Sequence, residues 1–129
     1  MRLLAVVLAL LASDFAPEPI DPVSAHAMVL RGDAALFDVR EEQEVAQGMA
    51  APAIWLATSR IEAEPGLLKA ALANLPPHAS AIFYCGSGKR AARAAQAAST
   101  LGRRAYNMGG FGAWKAEGLP TKAGPIPGS

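Results

Sequence analysis

Cysteine is nearly absent from this chain, because Cys85 is the single thiol among 129 residues. One cysteine excludes a disulfide within the chain and a zinc site made of several cysteines. An excess of charge is also missing: the formal net charge is +1, so the chain as a whole has no strong attraction to nucleic acid or to an anionic membrane. A hydrophobic content of 52% at this length suffices for one folded domain and is too small for two independent cores.

No hydrophobic run in the sequence is long enough to cross a membrane as a helix, which takes about 20 residues. The longest run covers residues 3–12, follows Arg2, and precedes a polar stretch that contains prolines. This pattern predicts a signal peptide over residues 1–16, a domain over residues 17–124 and a flexible tail over residues 125–129. The mature protein is then periplasmic or secreted, without stable membrane insertion. The alternative is a cytoplasmic protein in which the apolar segment is a first strand or helix of the domain.

The charges are distributed unevenly along the chain. Residues 1–84 contain five basic and ten acidic residues, a balance of −5, whereas residues 85–129 contain seven basic residues and one acidic residue, a balance of +6. Cys85 is the first residue of this basic part. In an oxidising compartment an unpaired thiol is a hazard unless it has a function, so export and a functional cysteine support each other.

Short apolar runs alternate with helical stretches after the apolar N-terminal segment. The predicted elements are a helix over 22–30, a strand over 35–39, a short acidic helix over 41–47, a strand over 52–56, a helix over 65–75, a strand over 81–84, an alanine-rich helix over 91–101, a strand over 105–107 and a turn with a short helix over 109–116, before a Pro/Gly tail from residue 118. Strands that alternate with helices indicate an α/β fold with a parallel sheet.

The residues with the clearest chemical potential lie where the strand over 81–84 meets the helix over 91–101. They are Cys85, Gly86, Ser87, Gly88, Lys89 and Arg90. The two glycines permit a tight turn in which successive backbone N–H groups point at one anion, and a helix N-terminus adds partial positive charge. Together with the two cations, this environment favours the thiolate of Cys85 and predicts a nucleophilic cysteine. The alternative is an inert buried cysteine, which does not explain the glycines and cations that follow the sulfur.

Two other loops that bind phosphate are disfavoured by spacing. A Walker A loop would need glycine at Phe83 and Ser or Thr at Arg90. A cysteine phosphatase loop of the Cys-x-x-x-x-x-Arg type would need arginine at Ala91, so the loop here is one residue too short. A shorter ring of backbone amides is better sized for a persulfide or for the outer sulfur of thiosulfate than for tetrahedral phosphate.

The chain resembles the single-domain rhodanese, or thiosulfate sulfurtransferase, family. Three segments carry the resemblance: residues 38–41 (Asp-Val-Arg-Glu), residues 85–90, and residues 109–114 (Gly-Gly-Phe-Gly-Ala-Trp) with Gly-Leu-Pro at 118–120. They occur in the family's order and spacing, over about residues 20–120. The chain departs from the family in residues 48–54, where members usually have a Gly-His-Ile-Pro-Gly-Ala-like run, and residues 55–60 are likewise unusual.

The resemblance implies a rhodanese-like fold, with a parallel central sheet of about five strands and helices on both faces. It implies that Cys85 takes up a sulfane sulfur as a persulfide in a cradle of backbone N–H groups from residues 86–90. Lys89 and Arg90 would bind the anionic donor. Asp38 would hydrogen-bond to the backbone, and Arg40 would pair with an acid or face the site. No metal ion or organic cofactor is implied.

The function implied by the resemblance is transfer of sulfur from thiosulfate or a persulfide donor to cyanide or a thiol, through a Cys85 persulfide. An acceptor protein is a further possible partner, and nucleic acid is not expected. The alternatives are a non-catalytic rhodanese-like binding or regulatory module and, with less support, an oxyanion reductase or phosphatase. Retention of the cysteine favours the enzyme.

The remaining polar residues are interpreted as structural. His26 and His78 are expected at the surface. Three acids near the start of the helix over 41–47 are expected to form a solvated capping face: Glu41, Glu42 and Glu44. Three arginines extend the basic part and would either steer an anionic donor, dock an acidic partner or form a solvated face: Arg93, Arg103 and Arg104.

Overall fold

The structure is a computed structural model that describes residues 16–126, in which strands and helices alternate. The elements are β1 (Glu18–Pro19), α1 (Pro22–Leu30), β2 (Ala34–Asp38), α2 (Glu42–Val45), β3 (Met49–Ala50), β4 (Ile54–Trp55), α3 (Thr58–Ala63), α4 (Gly66–Ala73), β5 (Ser80–Cys85), α5 (Lys89–Thr100), β6 (Ala105–Gly110), α6 (Phe111–Ala116) and β7 (Thr121–Lys122). The predicted signal peptide, apart from its last residue, and the end of the predicted tail lie outside the described residues.

The central sheet has five parallel strands in the order β1-β6-β5-β2-β4. This confirms the predicted α/β fold with a parallel sheet of about five strands. β5 is the middle strand, and all six of its residues are buried. Its last residues pair with the ends of both neighbours, because Tyr84 is in register with Asp38 on β2 and Cys85 with Gly110 on β6. The residues predicted to carry chemistry therefore meet at one edge of the sheet.

Alternating side chains of β5 form the two halves of the core. Ile82 and Tyr84 face the layer that contains α1 and α6, whereas Phe83 and Cys85 face α4 and α5. Phe83 stacks on Phe37 of β2 with ring centroids 5.3 Å apart. Helices therefore cover both faces of the sheet, and the two-residue period of the strand directs the Cys85 side chain towards α5.

Helix α1 has the N-terminal cap that the sequence predicts, whereas α5 begins at Lys89, two residues before the predicted start at residue 91. α1 starts at Asp21, whose carboxylate accepts the N–H of Ser24 at 2.9 Å. α5 buries only alanines, at positions 91, 94, 95 and 98. Alanine adds no bulk beyond Cβ, so the helix axis lies close to β5 and β6.

The segment from Gly118, predicted as a Pro/Gly tail whose first residues belong to the domain, contains a strand. β7 pairs antiparallel with β3, with Ala50 in register with Thr121. The Pro120 carbonyl oxygen accepts the backbone N–H of Ala51 at 2.9 Å and the indole N–H of Trp114 at 2.8 Å. Residues 118–124 therefore form a strap that joins α6 to the region after α2.

Three further elements differ from the sequence prediction. Helix α3 was not predicted, because none of its residues is buried and it has no apolar face to give a helical period. The strand predicted over 52–56 is reduced to Ile54–Trp55. β6 extends to Gly110, since its terminal glycines continue the pairing with β5 across a register shift.

The two histidines have different environments. His26 is half-buried and meets Trp114 edge-on, with ring centroids 5.3 Å apart, so it is only partly at the surface, where it was expected. His78 is exposed, with one ring nitrogen 3.3 Å from the Gly32 carbonyl oxygen. Across residues 16–126, the helices are too short or too polar for any of them to span a bilayer.

Candidate active site

Cys85 ends β5 at the carboxyl edge of the sheet, and the three residues that follow it turn the chain into α5. The backbone N–H of Gly88 donates to the Cys85 sulfur at 3.0 Å. Gly88 makes this possible because its φ of +99° lies in the left-handed region that other residues rarely adopt. Cys85 has no exposed surface, whereas Gly86 and Ser87 are exposed, so the loop closes over the sulfur.

Backbone amides stabilise the thiolate form of Cys85. Burial opposes ionisation of the thiol, but the N–H groups of Ala91, Gly88, Ser87 and Arg90 outweigh this effect and hold the pKa of Cys85 below its ordinary value. These donors belong to the turn and to the first residues of α5, where N–H groups have no partner within the helix. Three of the residues from the segment predicted to form the cradle, Ser87, Gly88 and Arg90, thus direct N–H groups at the sulfur, together with Ala91, which lies outside that segment.

The end of β6 supports this loop. The Asn107 side chain donates from Nδ2 to the Gly88 carbonyl oxygen at 3.1 Å and accepts the N–H of Gly109 at 2.8 Å. A Cβ atom added to Gly110 would overlap the Gly86 carbonyl oxygen. Both glycines belong to the segment over 109–114 that carries the family resemblance, whereas Asn107 lies outside it and was not predicted to act at the site. The contacts of Asn107 with Gly88 and of Gly110 with Gly86 join β6 to a different segment of the chain, so no local pattern in the sequence indicates them.

Of the two cations in the loop, Arg90 is paired and Lys89 is exposed. The Arg90 guanidinium binds both carboxylate oxygens of Glu44, with Nη1–Oε1 at 2.6 Å and Nη2–Oε2 at 3.0 Å. The bond to Glu44 raises the pKa of Arg90, and the bond to Arg90 lowers the pKa of Glu44 to about 2 although burial acts in the opposite direction. The expected solvated capping role of Glu44 was therefore incomplete, since it also binds the loop.

A buried polar network lies on the other side of β5. Asp38 accepts the backbone N–H of Arg40 at 3.0 Å, and its carboxylate accepts from the Arg40 guanidinium at 2.7–3.1 Å. Arg40 also donates to the Gly48 carbonyl oxygen at 2.7 Å and lies over the Phe111 ring, 4.4 Å from its centroid. Asp38 and Arg40 thus bind each other and fasten the end of α2, and these contacts are structural.

Tyr84, the residue before Cys85, completes this network. Its hydroxyl donates to Asp38 at 2.5 Å and accepts the N–H of Ala50 at 3.0 Å. Burial, followed by the bond to Asp38, raises the pKa of Tyr84. Tyr84 was predicted only as part of an apolar strand, although the hydroxyl of a buried tyrosine is a signal that it needs a hydrogen-bond partner.

The unusual segment over 55–60 is bound to the same edge of the sheet. The Trp55 indole N–H donates to the Arg40 carbonyl oxygen at 2.8 Å, and the Thr58 hydroxyl donates to the Val39 carbonyl oxygen at 2.8 Å. Glu41 caps α2 and also accepts the N–H of Ser59 at 3.0 Å at the start of α3. The capping role expected for Glu41 is therefore confirmed, and it links two helices.

The other arginines of the basic part have separate roles. Arg103 donates to the carbonyl oxygens of Leu72, Pro76 and Ala79 at 2.8–2.9 Å, so it ties α4 and the following turn to the end of α5 rather than extending a free basic face. Arg93 and Arg104 are exposed. Among residues 16–126, no three side chains of the His, Cys, Asp or Glu type are grouped closely enough to bind a metal ion.

Comparison with known proteins agrees with this arrangement. A family model described as a rhodanese-like domain matches residues 21–117. A solved rhodanese-related protein from Thermoplasma volcanium is 23% identical, with 82% of this chain and 98% of that chain covered and a TM-score of 0.66. A human single-domain sulfurtransferase is 28% identical, with coverage of 77% and 96% and a TM-score of 0.59. No curated protein sequence matches the chain significantly.

A third structure is described differently. It is a protein of unknown function, a possible tyrosine phosphatase, from Rhodopseudomonas palustris, and is 25% identical, with 87% of this chain and 91% of that chain covered and a TM-score of 0.62. The family match includes all strands of the central sheet except β1, and it includes the whole Cys85 loop. The chain belongs to the family of rhodanese-like domains.

Proposed function

We propose that the protein is a sulfurtransferase that accepts a sulfane sulfur on Cys85 and passes it to a thiol or to cyanide. The observation that carries the proposal is the direction of the loop amides: the Gly88 N–H is 3.0 Å from Sγ, and the neighbouring amides lower the pKa of the same sulfur. A thiolate is the nucleophilic form of cysteine, and a ring of N–H donors also stabilises the anion of a persulfide.

The first half-reaction is attack of the Cys85 thiolate on the outer sulfur of the donor. With thiosulfate, a bond forms between Sγ and the outer sulfur, the sulfur–sulfur bond of thiosulfate breaks, and sulfite leaves with the electron pair. The product is a Cys85 persulfide. Because Cys85 has no exposed surface, the exposed residues Gly86 and Ser87 must move aside to admit the donor.

The second half-reaction removes the outer sulfur. Cyanide or a thiolate attacks it, the Sγ–S bond breaks, and the thiolate of Cys85 is regenerated with thiocyanate or a new persulfide as product. Neither half-reaction requires a redox cofactor, because each exchanges one bond to sulfur for another. This is a ping-pong reaction with one covalent intermediate.

The human single-domain sulfurtransferase, at 28% identity, supports this assignment. The description of the Rhodopseudomonas palustris protein as a possible tyrosine phosphatase points to phosphate ester hydrolysis instead. Loop length favours sulfur transfer, since a Cys-x-x-x-x-x-Arg loop would require arginine at Ala91. The arginine one position earlier, Arg90, is paired with Glu44.

The test is the intact mass of the purified protein before and after thiosulfate, with cyanide added last. We expect one added sulfur, its removal by cyanide, and formation of thiocyanate. Cys85→Ser should gain no sulfur and should retain the stability of the parent protein. Ser99→Ala, on the half-buried side of α5, is a control that should load normally.

Other outcomes identify the alternatives. A protein that keeps its mass with thiosulfate and with an inorganic or organic persulfide is not a sulfurtransferase, and the binding-module interpretation then replaces the proposal. Hydrolysis of p-nitrophenyl phosphate that is lost in Cys85→Ser would instead identify a phosphatase. Arsenate reduction with a thiol reductant provides the corresponding test for an oxyanion reductase.

A further inference from the structure

We propose that Glu44 makes the Cys85 site selective for singly charged sulfur donors over doubly charged ones such as thiosulfate. This inference rests on the proposed sulfurtransferase function and concerns the class of donor. Glu44 lies outside the loop in the sequence and reaches it from α2, through both oxygens of its carboxylate.

The carboxylate of Glu44 is fixed by its own helix as well as by Arg90. Oε1 accepts the backbone N–H of Glu41 at 3.0 Å in a capping box. Arg40 donates to the backbone carbonyl oxygen of Glu44 at 3.5 Å and to that of Gly48, in the turn after the helix, at 2.7 Å. If a donor draws Arg90 away, the negative charge of Glu44 therefore stays at the loop.

The Glu44–Arg90 pair lies beside the residue that follows Cys85. A Cβ atom built on Gly86 would be 3.2 Å from Nη2 of Arg90 and 3.5 Å from Oε2 of Glu44. The side chains are 27% exposed for Arg90 and 38% exposed for Glu44, so both are accessible to an ion that approaches from solvent. Both charges act where a donor must enter.

The net charge at this entrance is lower than the loop sequence indicates. Glu44 neutralises Arg90, and Glu41 further stabilises the Arg90 cation. Lys89 is exposed, where water and salt screen its charge. A dianion therefore gains little from Arg90 and is repelled by Glu44, whereas a monoanion experiences half of that repulsion.

Thiosulfate and methanethiosulfonate form a matched pair of donors. Each carries its transferable sulfur on an oxidised sulfur atom, but thiosulfate is a dianion and methanethiosulfonate is a monoanion. Attack by the Cys85 thiolate yields the same persulfide from both, with sulfite or methanesulfinate as the leaving group that takes the electron pair. The two donors also differ in leaving group, but that difference is the same for every variant, so the change in the ratio of their kcat/KM values between parent and variant reports on charge at the site.

The experiment measures this ratio in the parent protein and in Glu44→Gln. Glutamine keeps an oxygen that can accept the Glu41 N–H and removes the charge. We expect the thiosulfate to methanethiosulfonate ratio to rise about fivefold, as for the loss of one like charge several ångströms away in a partly solvated site. Glu117→Gln, an exposed acid after α6, should leave the ratio unchanged. An unchanged or lower ratio in Glu44→Gln overturns the inference.

Two additional measurements keep the inference testable. Arg90→Gln leaves the Glu44 charge unpaired, so the same ratio should fall, and a ratio that stays constant also overturns the inference. The second measurement is the rate at which Cys85 is alkylated by iodoacetate, an anion, and by iodoacetamide, which is neutral. The ratio of the iodoacetate rate to the iodoacetamide rate should rise in Glu44→Gln, as the thiosulfate to methanethiosulfonate ratio does. Because alkylation needs no sulfur transfer, a parent protein that gains sulfur from neither donor refutes the proposed function separately from the effect of Glu44 on charge.

Discussion

Gly110 on β6 lies against the carbonyl group of Gly86, the first residue after Cys85. A Cβ atom at position 110 would be 3.1 Å from the Gly86 carbonyl carbon and would overlap its oxygen. Both contacting groups are backbone, so neither side can rotate away. The position of the loop over Cys85 is therefore set by the absence of a side chain on a neighbouring strand.

Gly110→Ala is expected to displace the Cys85 loop. The added methyl group must push Gly86 away, at a cost of about 1–3 kcal/mol in the free energy of unfolding. Sulfur loading of Cys85 should fall with it, because the amides no longer point at the sulfur. Urea unfolding and intact mass after thiosulfate measure the two effects.

Gly112→Ala is the matched control for this variant. Gly112 lies in α6, and a Cβ atom there meets nothing within 4 Å. Alanine is favoured over glycine inside helices by about 0.5–1 kcal/mol, so this variant should be as stable as the parent or more so. A Gly110→Ala protein that loads sulfur like Gly112→Ala would contradict the proposed role of the close approach.

Asn107→Ala is expected to raise the pKa of Cys85. The variant removes the side chain that holds the Gly88 carbonyl, and the Gly88 N–H is a donor to the sulfur. A less fixed donor stabilises the thiolate less, so the midpoint of the pH dependence of alkylation by iodoacetamide should move upward by about one pH unit or less. The alkylation rate at neutral pH falls accordingly.

The control for Asn107 is Asn74→Ala, which changes an exposed asparagine at the end of α4. It should leave the alkylation midpoint in place. If Asn107→Ala also leaves the midpoint unchanged, the turn keeps its geometry through its glycines alone and the positioning role of Asn107 is refuted.

Tyr84→Phe is expected to destabilise the fold. The variant leaves the Ala50 N–H without its acceptor and removes the hydroxyl donor to Asp38, both in buried surroundings. Loss of these partners should cost about 1–3 kcal/mol in the free energy of unfolding. Tyr106→Phe, the change at the second tyrosine, should cost less, and equal losses for the two variants would argue against the buried network.

The contribution of Glu44 to stability depends on pH. Its pKa falls from an ordinary value of 4.5 to about 2 in the folded protein, so the ionised form stabilises the fold above pH 4.5. This contribution is lost as the pH falls from 4.5 through about 2. The partly exposed pair is screened by water, so the parent protein should exceed Glu44→Gln by about 1 kcal/mol or less at pH 7. Urea unfolding at pH 7 and pH 3 should show that difference shrink, and a difference that grows in acid would exclude this role.

Export of the protein is a separate prediction that rests on residues 1–16. Expression of the full sequence in a bacterium should yield a periplasmic or secreted protein. Its intact mass should be lower than that of the full chain by the mass of the N-terminal segment that contains the apolar run. Replacing two leucines in residues 3–12 with arginine should keep the full-length chain in the cytoplasm, because the apolar core of a signal peptide must remain uncharged. A full-length protein recovered from the cytoplasm without these replacements would contradict the prediction.

The sequence was most informative where neighbouring residues determine the structure. The apolar run before Cys85 and the glycines after it were sufficient to predict a buried strand, a tight turn and a helix, and the structure has each of them. The N-terminal cap of α1 at Asp21 was predictable for the same reason. In these places the local chemistry and the tertiary contacts favour the same conformation.

The sequence was least informative where contacts join distant segments. Glu44 was interpreted from its own helix, where a capping role accounts for an acid, and nothing in that helix indicates Arg90. The Asn107 contact with Gly88 is of the same kind. β7 has two exposed residues and no apolar period, and it pairs with β3, which lies far from it in the sequence.

The strap over residues 118–124 has a consequence for the order of folding. Gly124 contacts the carbonyl group of Val45 so closely that a side chain there would overlap it, and Pro120 accepts hydrogen bonds from Ala51 and Trp114. During synthesis, α2 and β3 emerge long before their partners in the strap. The segment that carries Glu44 therefore gains these contacts only once residues 118–124 are available, so the packing beside the Cys85 loop depends on residues synthesised well after it.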